Sequence, residues 1–233
     1  LNPHFVQVEV YLGQILPAAM TVLLCRKLCA DPNEDHWSVR DLTASIIAYV
    51  CFRFGQMFPN LKADLVLLLG QTLKQPNQAL PALYGAVVGA SLLGSSVFTM
   101  VLLPILKQLK DYIIGKIKEA ERNKNPYEFR DAMLCLSVLV KSAGNFLCDQ
   151  MAKLAKSLDF DDRETKSAGQ LELAKGIAQV RNVFDDGSMS PFIAAANNRI
   201  GKSTVLDEDV TGLATSEPYG RRRSSWLCMP SVL

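Results

Sequence analysis

The sequence centres on the stretch Tyr84-Gly85-Ala86-Val87-Val88-Gly89-Ala90-Ser91-Leu92-Leu93-Gly94. Gly85 and Gly89 are four residues apart, which places both on one face of a helix. Because glycine has no side chain beyond its α-carbon, this face can approach a neighbouring helix closely. Gly94 then supplies the backbone freedom with which many helices end. The stretch therefore predicts a tightly packed helix in the middle of a helical core.

Two related segments lie on either side of this stretch. They are Val39-Arg40-Asp41, which follows Trp37, and Phe129-Arg130-Asp131, which follows Tyr127. Both are 45 residues from Tyr84, upstream and downstream respectively. A repeat of about 40 to 47 residues that is built from helices is typical of HEAT and armadillo arrays. The fold class predicted is all-α, an α-solenoid of HEAT-like antiparallel helix pairs.

Apolar residues at helical spacing divide residues 1–157 into three such pairs. The pattern predicts that Pro17 kinks or splits the first helix, over 5–29, and that Asp35 and Asn125 cap the helices that follow them. The helix after Asp35 is expected to bury one apolar stripe. This stripe consists of Val39, Leu42, Thr43, Ile46, Ile47, Val50 and Phe54.

Residues 158–233 have a different composition, with clustered charges and short apolar runs. One amphipathic helix is expected at 163–184, where it caps the open end of the array, is only partly ordered, or folds on contact with a partner. From Asp185 onward we expect a partly disordered tail with little fixed structure. Because the first residue is Leu1, we also expect that the 1–157 domain is truncated at its N-terminus.

The composition favours a packed intracellular protein. Apolar residues make up 49% of the chain, charged residues make up 21%, and the net charge is only +2. Such a weak charge gives no general attraction to DNA or to an anionic membrane, so any contact with DNA is expected to be indirect, through partners. The six cysteines lie mostly in apolar helical runs, as buried reduced thiols do.

A membrane protein is the remaining structural alternative. Residues 79–106 contain no charged side chain, so a span near 82–104 is conceivable by length. However, Pro81 and Pro104 lie near the ends of this run, and Gly94-Ser95-Ser96 has the pattern of a helix stop followed by a new cap. Two short buried helices explain the run better, and no membrane contact is expected.

Catalytic, cofactor and metal sites are not predicted. Cys25 and Cys29 could share one helix face near His36, but a zinc site needs four ligands and no second pair has suitable spacing. His36 lies at a helix start, where a structural hydrogen bond is expected. The glycines of the central stretch lack the G-x-G-x-x-G spacing of a dinucleotide loop. We therefore expect neither an enzyme nor a small-molecule substrate.

Two kinds of charged motif remain. The pairs Arg40-Asp41 and Arg130-Asp131 could join adjacent repeats inside the array or form a partner surface, since arginine offers several donors. The run Arg221-Arg222-Arg223-Ser224 is a solvated basic segment, a nuclear-import signal or a kinase site.

Several motifs together resemble a known family. They are Tyr11-Leu12-x-x-Ile15-Leu16-Pro17, His36-Trp37-x-x-Arg40-Asp41, Tyr84-Gly85-Ala86-Val87-x-Gly89, Leu93-Gly94 and Leu103-Pro104. In order and spacing they resemble the C-terminal HEAT-repeat domain of subunit six of the general transcription factor TFIID, and its paralogue in the SAGA coactivator. The resemblance covers residues 8–106 well, extends less clearly to 157 and leaves the tail unmatched.

The resemblance implies a nuclear, non-enzymatic scaffold in RNA polymerase II initiation whose partners are other TFIID or SAGA subunits. Members of this family also carry a histone fold before the array. The resemblance also implies an interface or structural role for ten residues. They are His36, Trp37, Arg40, Asp41, Tyr84, Gly85, Gly89, Gly94, Arg130 and Asp131. An adaptor of HEAT type in some other complex is the alternative.

Overall fold

The computed structural model describes residues 8–31, 34–159, 168–184 and 187–206, and these ranges contain helices and no strand. Within them a short 3-10 helix, Val8–Tyr11, precedes eight α-helices of more than one turn. The α-helices are α1 (Leu12–Leu24), α2 (Trp37–Phe54), α3 (Leu61–Lys74), α4 (Leu80–Leu92), α5 (Leu106–Arg122), α6 (Pro126–Asp159), α7 (Ala168–Val183) and α8 (Ser190–Leu206).

Helices α2, α4 and α6 form one layer of the molecule, with α4 in the middle packed against both neighbours. Helices α1 and α3 pack against α4, and α5 packs against α6 as its antiparallel partner. The three segments related by the 45-residue period lie on α2, α4 and α6, so the period marks successive members of this layer. The predicted α-solenoid of HEAT-like helix pairs is confirmed.

The core follows α4, which is buried over nearly its whole length. Such a helix is apolar on every side because it has neighbours on every side. The fully buried side chains around it include Leu23 of α1, Ile47 of α2, Leu69 of α3 and Leu139 of α6. One continuous core therefore joins the three helix pairs.

The connection between α4 and α5 is helical but irregular. It consists of one α-helical turn (Ser95–Val97), a π-helical turn (Phe98–Leu102) and a 3-10 turn (Leu103–Ile105), which we call the lead-in. Gly94 precedes it with φ of 109°, a left-handed conformation that favours glycine. The 3-10 turn accommodates Pro104, which has no backbone N–H to donate.

Residues 82–104 consequently do not form one continuous helix. Helix α4 has 13 residues and ends at Leu92, so at ~1.5 Å per residue it is about 20 Å long, against a hydrocarbon core of about 30 Å. Among the described residues, one helix, α6, holds a stretch long and apolar enough to cross a membrane, and half of that stretch is buried inside the protein.

The predicted caps of α2 and α6 are confirmed. The Asp35 carboxylate accepts hydrogen bonds from the backbone N–H groups of Trp37, at 3.0 Å, and Ser38, at 3.3 Å. At the start of α6, the Asn125 side chain accepts from the backbone N–H of Glu128 at 3.3 Å. Side-chain oxygens thus satisfy backbone donors that a first helical turn leaves without partners.

The expected first helix over 5–29 is shorter in the structure. Helix α1 ends at Leu24 and runs through Pro17 without being split. Thr21 donates its hydroxyl hydrogen to the Pro17 carbonyl at 2.8 Å within the same helix. Because α1 ends at Leu24, Cys25 is its C-cap and Cys29 lies in the following loop, so the expectation that both thiols share a helix face is wrong.

The buried stripe expected on α2 is partly wrong. Val39, Leu42 and Ile46 are exposed, with 62% of Leu42 accessible to solvent. Helix α2 instead buries the side that carries Trp37, Arg40, Thr43, Ala44, Ile47, Val50, Cys51 and Phe54. Only three of its 18 residues are charged, so the apolar pattern alone does not single out the face that packs.

Two helices follow α6. Helix α7 lies within the range expected for an amphipathic helix, and its Val180 is buried, as is Phe184 just beyond it. The expectation of little fixed structure from Asp185 is wrong for 190–206, where α8 packs against α6. Phe192 of α8 lies directly over Gly144, where a side chain would leave no room for the ring. Residues 207–233 lie outside the described ranges.

Candidate protein-docking surface

A junction of three helices fixes α1 to the middle layer. Arg40 of α2 is completely buried and donates hydrogen bonds from its guanidinium to three backbone carbonyls at the end of α1. They are those of Val22 at 3.3 Å, Leu23 at 2.6 Å and Cys25 at 2.9 Å. These carbonyls have no partner within α1, because a helix leaves its last C=O groups free. Arg40 therefore acts as a cap supplied by the next helix.

Gly85 of α4 lies close to the carbonyl of Leu23. A β-carbon built on Gly85 would lie 2.0 Å from the Leu23 oxygen, so no residue but glycine fits. One turn later, a β-carbon on Gly89 would lie 3.1 Å from the Leu23 side chain and 3.3 Å from that of Leu69. The expected close approach of the two-glycine face is thus made to α1, and at Gly89 also to α3.

Next to this junction, polar and aromatic side chains of α2 and α4 form a second cluster. Tyr84 donates its hydroxyl hydrogen to the Asp41 carboxylate at 2.9 Å, and its ring packs edge-on against Trp37 with 4.8 Å between ring centres. The His36 ring is tilted by 40° against Trp37, with 4.3 Å between ring centres, and its Nδ1 accepts a 3.4 Å hydrogen bond from Nε of Arg40. The cluster joins the start of α2 to the start of α4.

The cluster shifts the protonation of its members. Burial lowers the pKa of His36, and the neighbouring Arg40 lowers it further, so the imidazole stays neutral and able to accept. Burial raises the pKa of Asp41, although the bond from Tyr84 acts the other way. Burial also raises the pKa of the Tyr84 hydroxyl, as does the charge of Asp41, so Tyr84 remains a donor.

Asp41 and Tyr84 lie in a groove that runs between α2 and α6, with α4 as its floor. This central groove has a volume of about 640 Å³. Its walls mix apolar side chains with serines and two charges of opposite sign, Asp41 and Lys141. The remaining lining residues include Leu42, Ser45, Val88, Leu92, Leu134 and Val138.

The outer side of α2 adds an exposed apolar surface that is continuous with this groove through Leu42. We call it the α2 face, and it consists of Val39, Leu42, Ile46, Tyr49 and Phe52, the last of which is 87% exposed. The first four recur at alternating intervals of three and four residues, the spacing at which one helix packs against another. Contiguous apolar surface on an ordered helix is characteristic of protein interaction sites.

The second predicted charge pair lies at the start of α6. Arg130 and Asp131 are adjacent, with Nη2 of the arginine 3.3 Å from the carboxylate, and their side chains are 40% and 21% exposed. Both charges act on the pKa of His36, in opposite directions, so the beginnings of α2 and α6 lie near each other. An interface role for Arg130 and Asp131 stays a prediction, and the run Arg221-Arg222-Arg223-Ser224 lies outside the described residues.

Within the described part of the chain, no three His, Cys, Asp or Glu side chains are grouped so that they could hold a metal ion. His36 is committed to Arg40, and Cys25 has its sulfur 3.6 Å from the same guanidinium. The sequence does not predict the α2 face or the central groove. The available signal for the α2 face is that α2 is apolar around most of its circumference.

The fold and the junction define the class of protein, a HEAT-type α-solenoid whose repeats are joined by a buried arginine and a glycine-faced helix. Residues 1–107 match the model of the TAF6 C-terminal HEAT repeat domain. Over these residues the chain is similar to that domain, and the resemblance inferred from its motifs is confirmed.

Individual relatives agree with this assignment. The chain is 34% identical over 145 residues to transcription initiation factor TFIID subunit 6 of Arabidopsis thaliana. The aligned region covers 61% of this chain and 26% of the relative. It is 28% identical over 133 residues to the SAGA complex/transcription factor TFIID complex subunit Taf6 of Schizosaccharomyces pombe, covering 57% and 29%. The chain thus spans between a quarter and a third of the length of these relatives.

A further relative is TAF6-like RNA polymerase II p300/CBP-associated factor-associated factor 65 kDa subunit 6L of Homo sapiens. The identity is 31% over 108 residues, which is 45% of this chain and 17% of the relative. Relatives of both TFIID and SAGA type are thus similar to this chain.

Proposed function

We propose that this chain is a scaffold subunit of a general transcription factor complex for RNA polymerase II, TFIID or its relative SAGA. It acts in the nucleus by presenting its helical array to other subunits, performs no catalysis, and contacts DNA only through its partners. Neither a small-molecule substrate nor a membrane takes part. The relatives are named as subunits of these complexes, which supports this choice of partners.

The observation that carries the proposal is the α2 face. Five large apolar side chains are exposed on an ordered helix whose opposite side is buried in the core. Exposing such residues to water is unfavourable, by about 25 cal/mol per Å² of apolar surface, so a partner that covers them gains that free energy. A rigid array that holds this surface in place needs no rearrangement on binding.

The test is a pull-down from nuclear extract with the tagged full chain. The wild-type chain is expected to recover TFIID or SAGA subunits, and the double variant Leu42→Ser/Phe52→Ser is expected to lose them. Met100→Ser is the matched control because Met100 is 65% exposed but lies in the lead-in, away from α2. Recovery of neither complex by the wild-type chain would contradict the proposal.

The same pull-down separates the alternatives. Subunits that occur only in TFIID or only in SAGA assign the chain to one complex, whereas a different set of proteins would indicate an adaptor of another complex.

Nuclear import is tested by changing Arg221, Arg222 and Arg223 to alanine in a fluorescently tagged chain. Import that is retained after this change would exclude the basic run as the import signal.

A further inference from the structure

A second groove lies between α1 and α3. Both helices pack against α4, but they make little contact with each other. The space between them, which we call the α1/α3 groove, has a volume of about 960 Å³. This is near the upper limit of ordinary binding pockets, which measure about 300 to 1,000 Å³.

The groove is lined mainly by apolar side chains in two helical stripes. Helix α1 contributes Leu12, Leu16, Met20 and Leu24, which recur every four residues, and α3 contributes Leu61, Leu65 and Leu68. The α1 stripe spans 12 residues, or about 18 Å at ~1.5 Å per residue. A groove of this length and form accommodates about three turns of a further helix, as in other helix-in-groove complexes.

Exposed apolar side chains at the edge of the groove show that it is open to a partner. Met57 and Phe58, in the turn before α3, are 62% and 41% exposed, and Leu68 on α3 is 42% exposed. All three line the groove. Leu67 is the neighbour of Leu68 and is 62% exposed, but it points elsewhere and is not part of the lining.

The charges of the groove indicate what kind of helix it takes. Two carboxylates line it, Glu9 before α1 and Asp64 in the first turn of α3, and no lysine or arginine does. Neither carboxylate forms an ion pair with any residue in the described ranges. An apolar groove with acidic residues complements a helix that has apolar anchors on one side and basic residues beside them.

We propose that the α1/α3 groove binds a basic amphipathic helix of a partner protein. The inference rests on the proposed scaffold function, because it assigns the chemistry of one partner segment to one surface of the array. Apolar anchors of the partner helix enter between α1 and α3, and its lysines or arginines lie beside Glu9 and Asp64. The surface is separate from the α2 face.

The experiment measures binding of two fluorescently labelled 16-residue peptides to the full chain by anisotropy. Both are designed amphipathic helices with the same leucine stripe, one flanked by lysines and the other by glutamates. The lysine peptide is expected to bind about tenfold more tightly than the glutamate peptide, with a preference that decreases as salt is added.

Matched variants locate the binding site. Leu68→Ser is expected to weaken the lysine peptide about fivefold or more, while Leu67→Ser changes its affinity less than about twofold. Glu9→Gln/Asp64→Asn is expected to abolish the preference between the peptides. Asp111→Asn, on exposed α5 surface, is expected to leave it intact. Thermal melts of each variant establish that all are folded.

Three results would overturn the proposal. They are equal binding of the two peptides, equal effects of Leu68→Ser and Leu67→Ser, and self-association of the wild-type chain in sedimentation that Leu68→Ser removes, which would make a second copy the occupant. If the peptides fail but the pull-down through the α2 face succeeds, the scaffold function stands and only this inference falls.

Discussion

At the scale of single residues, the carbonyl of Leu23 is constrained by two neighbouring helices, α2 and α4. It accepts a 2.6 Å hydrogen bond from the buried Arg40, and it lies so close to Gly85 that a β-carbon there would be 2.0 Å from its oxygen. The arginine must be present to satisfy the end of α1, and the glycine must lack a side chain to leave room. Arg40 and Gly85 belong to different repeats, and both act at the carbonyl oxygen of Leu23.

The first prediction follows from that contact. Gly85→Ala should destabilise the chain by about 3 kcal/mol, the upper part of the range for overpacking, because its β-carbon would meet backbone rather than a movable side chain. Gly115→Ala on α5 is the control, since nothing lies within 4 Å of the corresponding β-carbon. Chemical denaturation measures both, and the control should be neutral or more stable by up to about 1 kcal/mol. Equal stabilities would contradict the close approach.

The second prediction concerns Asp41 and Tyr84. Asp41→Ala should lower the free energy of unfolding by about 1 to 3 kcal/mol, because it leaves the buried Tyr84 hydroxyl without its acceptor. Asp41→Asn should retain wild-type stability, since an amide oxygen accepts the same hydrogen bond from Tyr84. Thermal melts distinguish the two variants. An Asp41→Ala melt identical to that of wild type would show that the hydrogen bond between Asp41 and Tyr84 does not stabilise the fold.

The third prediction concerns pH. Because burial lowers the pKa of His36 in the folded state, the unfolded chain binds a proton more readily. Stability from this residue is therefore complete above the ordinary histidine pKa of about 6.5 and decreases as the pH falls below it. Urea titrations at about pH 7.5 and about pH 5.5 should show a larger loss for wild type than for His36→Asn, which keeps an acceptor but does not titrate. If wild type and His36→Asn lose the same free energy of unfolding between the two pH values, the protonation of His36 does not contribute to the pH dependence of stability.

At the scale of helices, the sequence predicts where a helix lies better than it predicts which side of that helix packs against the core. The capping residues Asp35 and Asn125 identify the starts of α2 and α6 because a cap is a local interaction. Which side of α2 packs is not local. Its exposed residue Leu42 and its buried residue Ile47 are equally apolar, and only the neighbours that the fold supplies decide between them.

Helix α8 was missed for a related reason. Its sequence, with Asn197, Asn198 and Gly201, has a weak helical pattern, whereas its fixed position depends on α6. Phe192 packs on Gly144, and the Cys148 thiol donates to the Phe192 carbonyl at 3.1 Å. A glycine in the middle of a long helix was the available signal, because such a glycine often marks close packing.

The fourth prediction tests this attachment. Gly144→Ala would place a β-carbon 2.3 Å from the Phe192 ring, so the ring and α8 must move away. Hydrogen exchange of residues 190–206 should become faster, while exchange in α1 to α4 should not change. Gly176→Ala is the control, because its β-carbon would lie at an ordinary 3.5 Å from Phe146. Unchanged exchange in α8 would mean that this contact does not hold it.

At the scale of the whole molecule, a repeat of 45 residues was enough to predict the architecture, because a period shared by three segments places them in equivalent positions of an array. The two grooves were not predictable in the same way. Each is a space left between helices that belong to different repeats, so it depends on how far apart those helices stand. Residues of both grooves belong to motifs in the sequence, such as Asp41 and Tyr84, but the motifs do not indicate that a groove lies between the helices.

The fifth prediction tests where the folding unit ends. The family match stops at residue 107, but α4 packs against α6, which begins at Pro126 and ends at Asp159. A chain truncated after Lys124 loses α6 and exposes the buried side of α4, so it should unfold without a cooperative transition or aggregate. A chain truncated after Lys166 keeps all three helix pairs and should unfold cooperatively, at a lower temperature than the full chain because α7 and α8 are missing. Circular dichroism melts compare the three chains.

Cooperative unfolding of the shorter truncation would show that residues beyond 124 are not part of the cooperative folding unit. That result would contradict the proposed domain over 1–157.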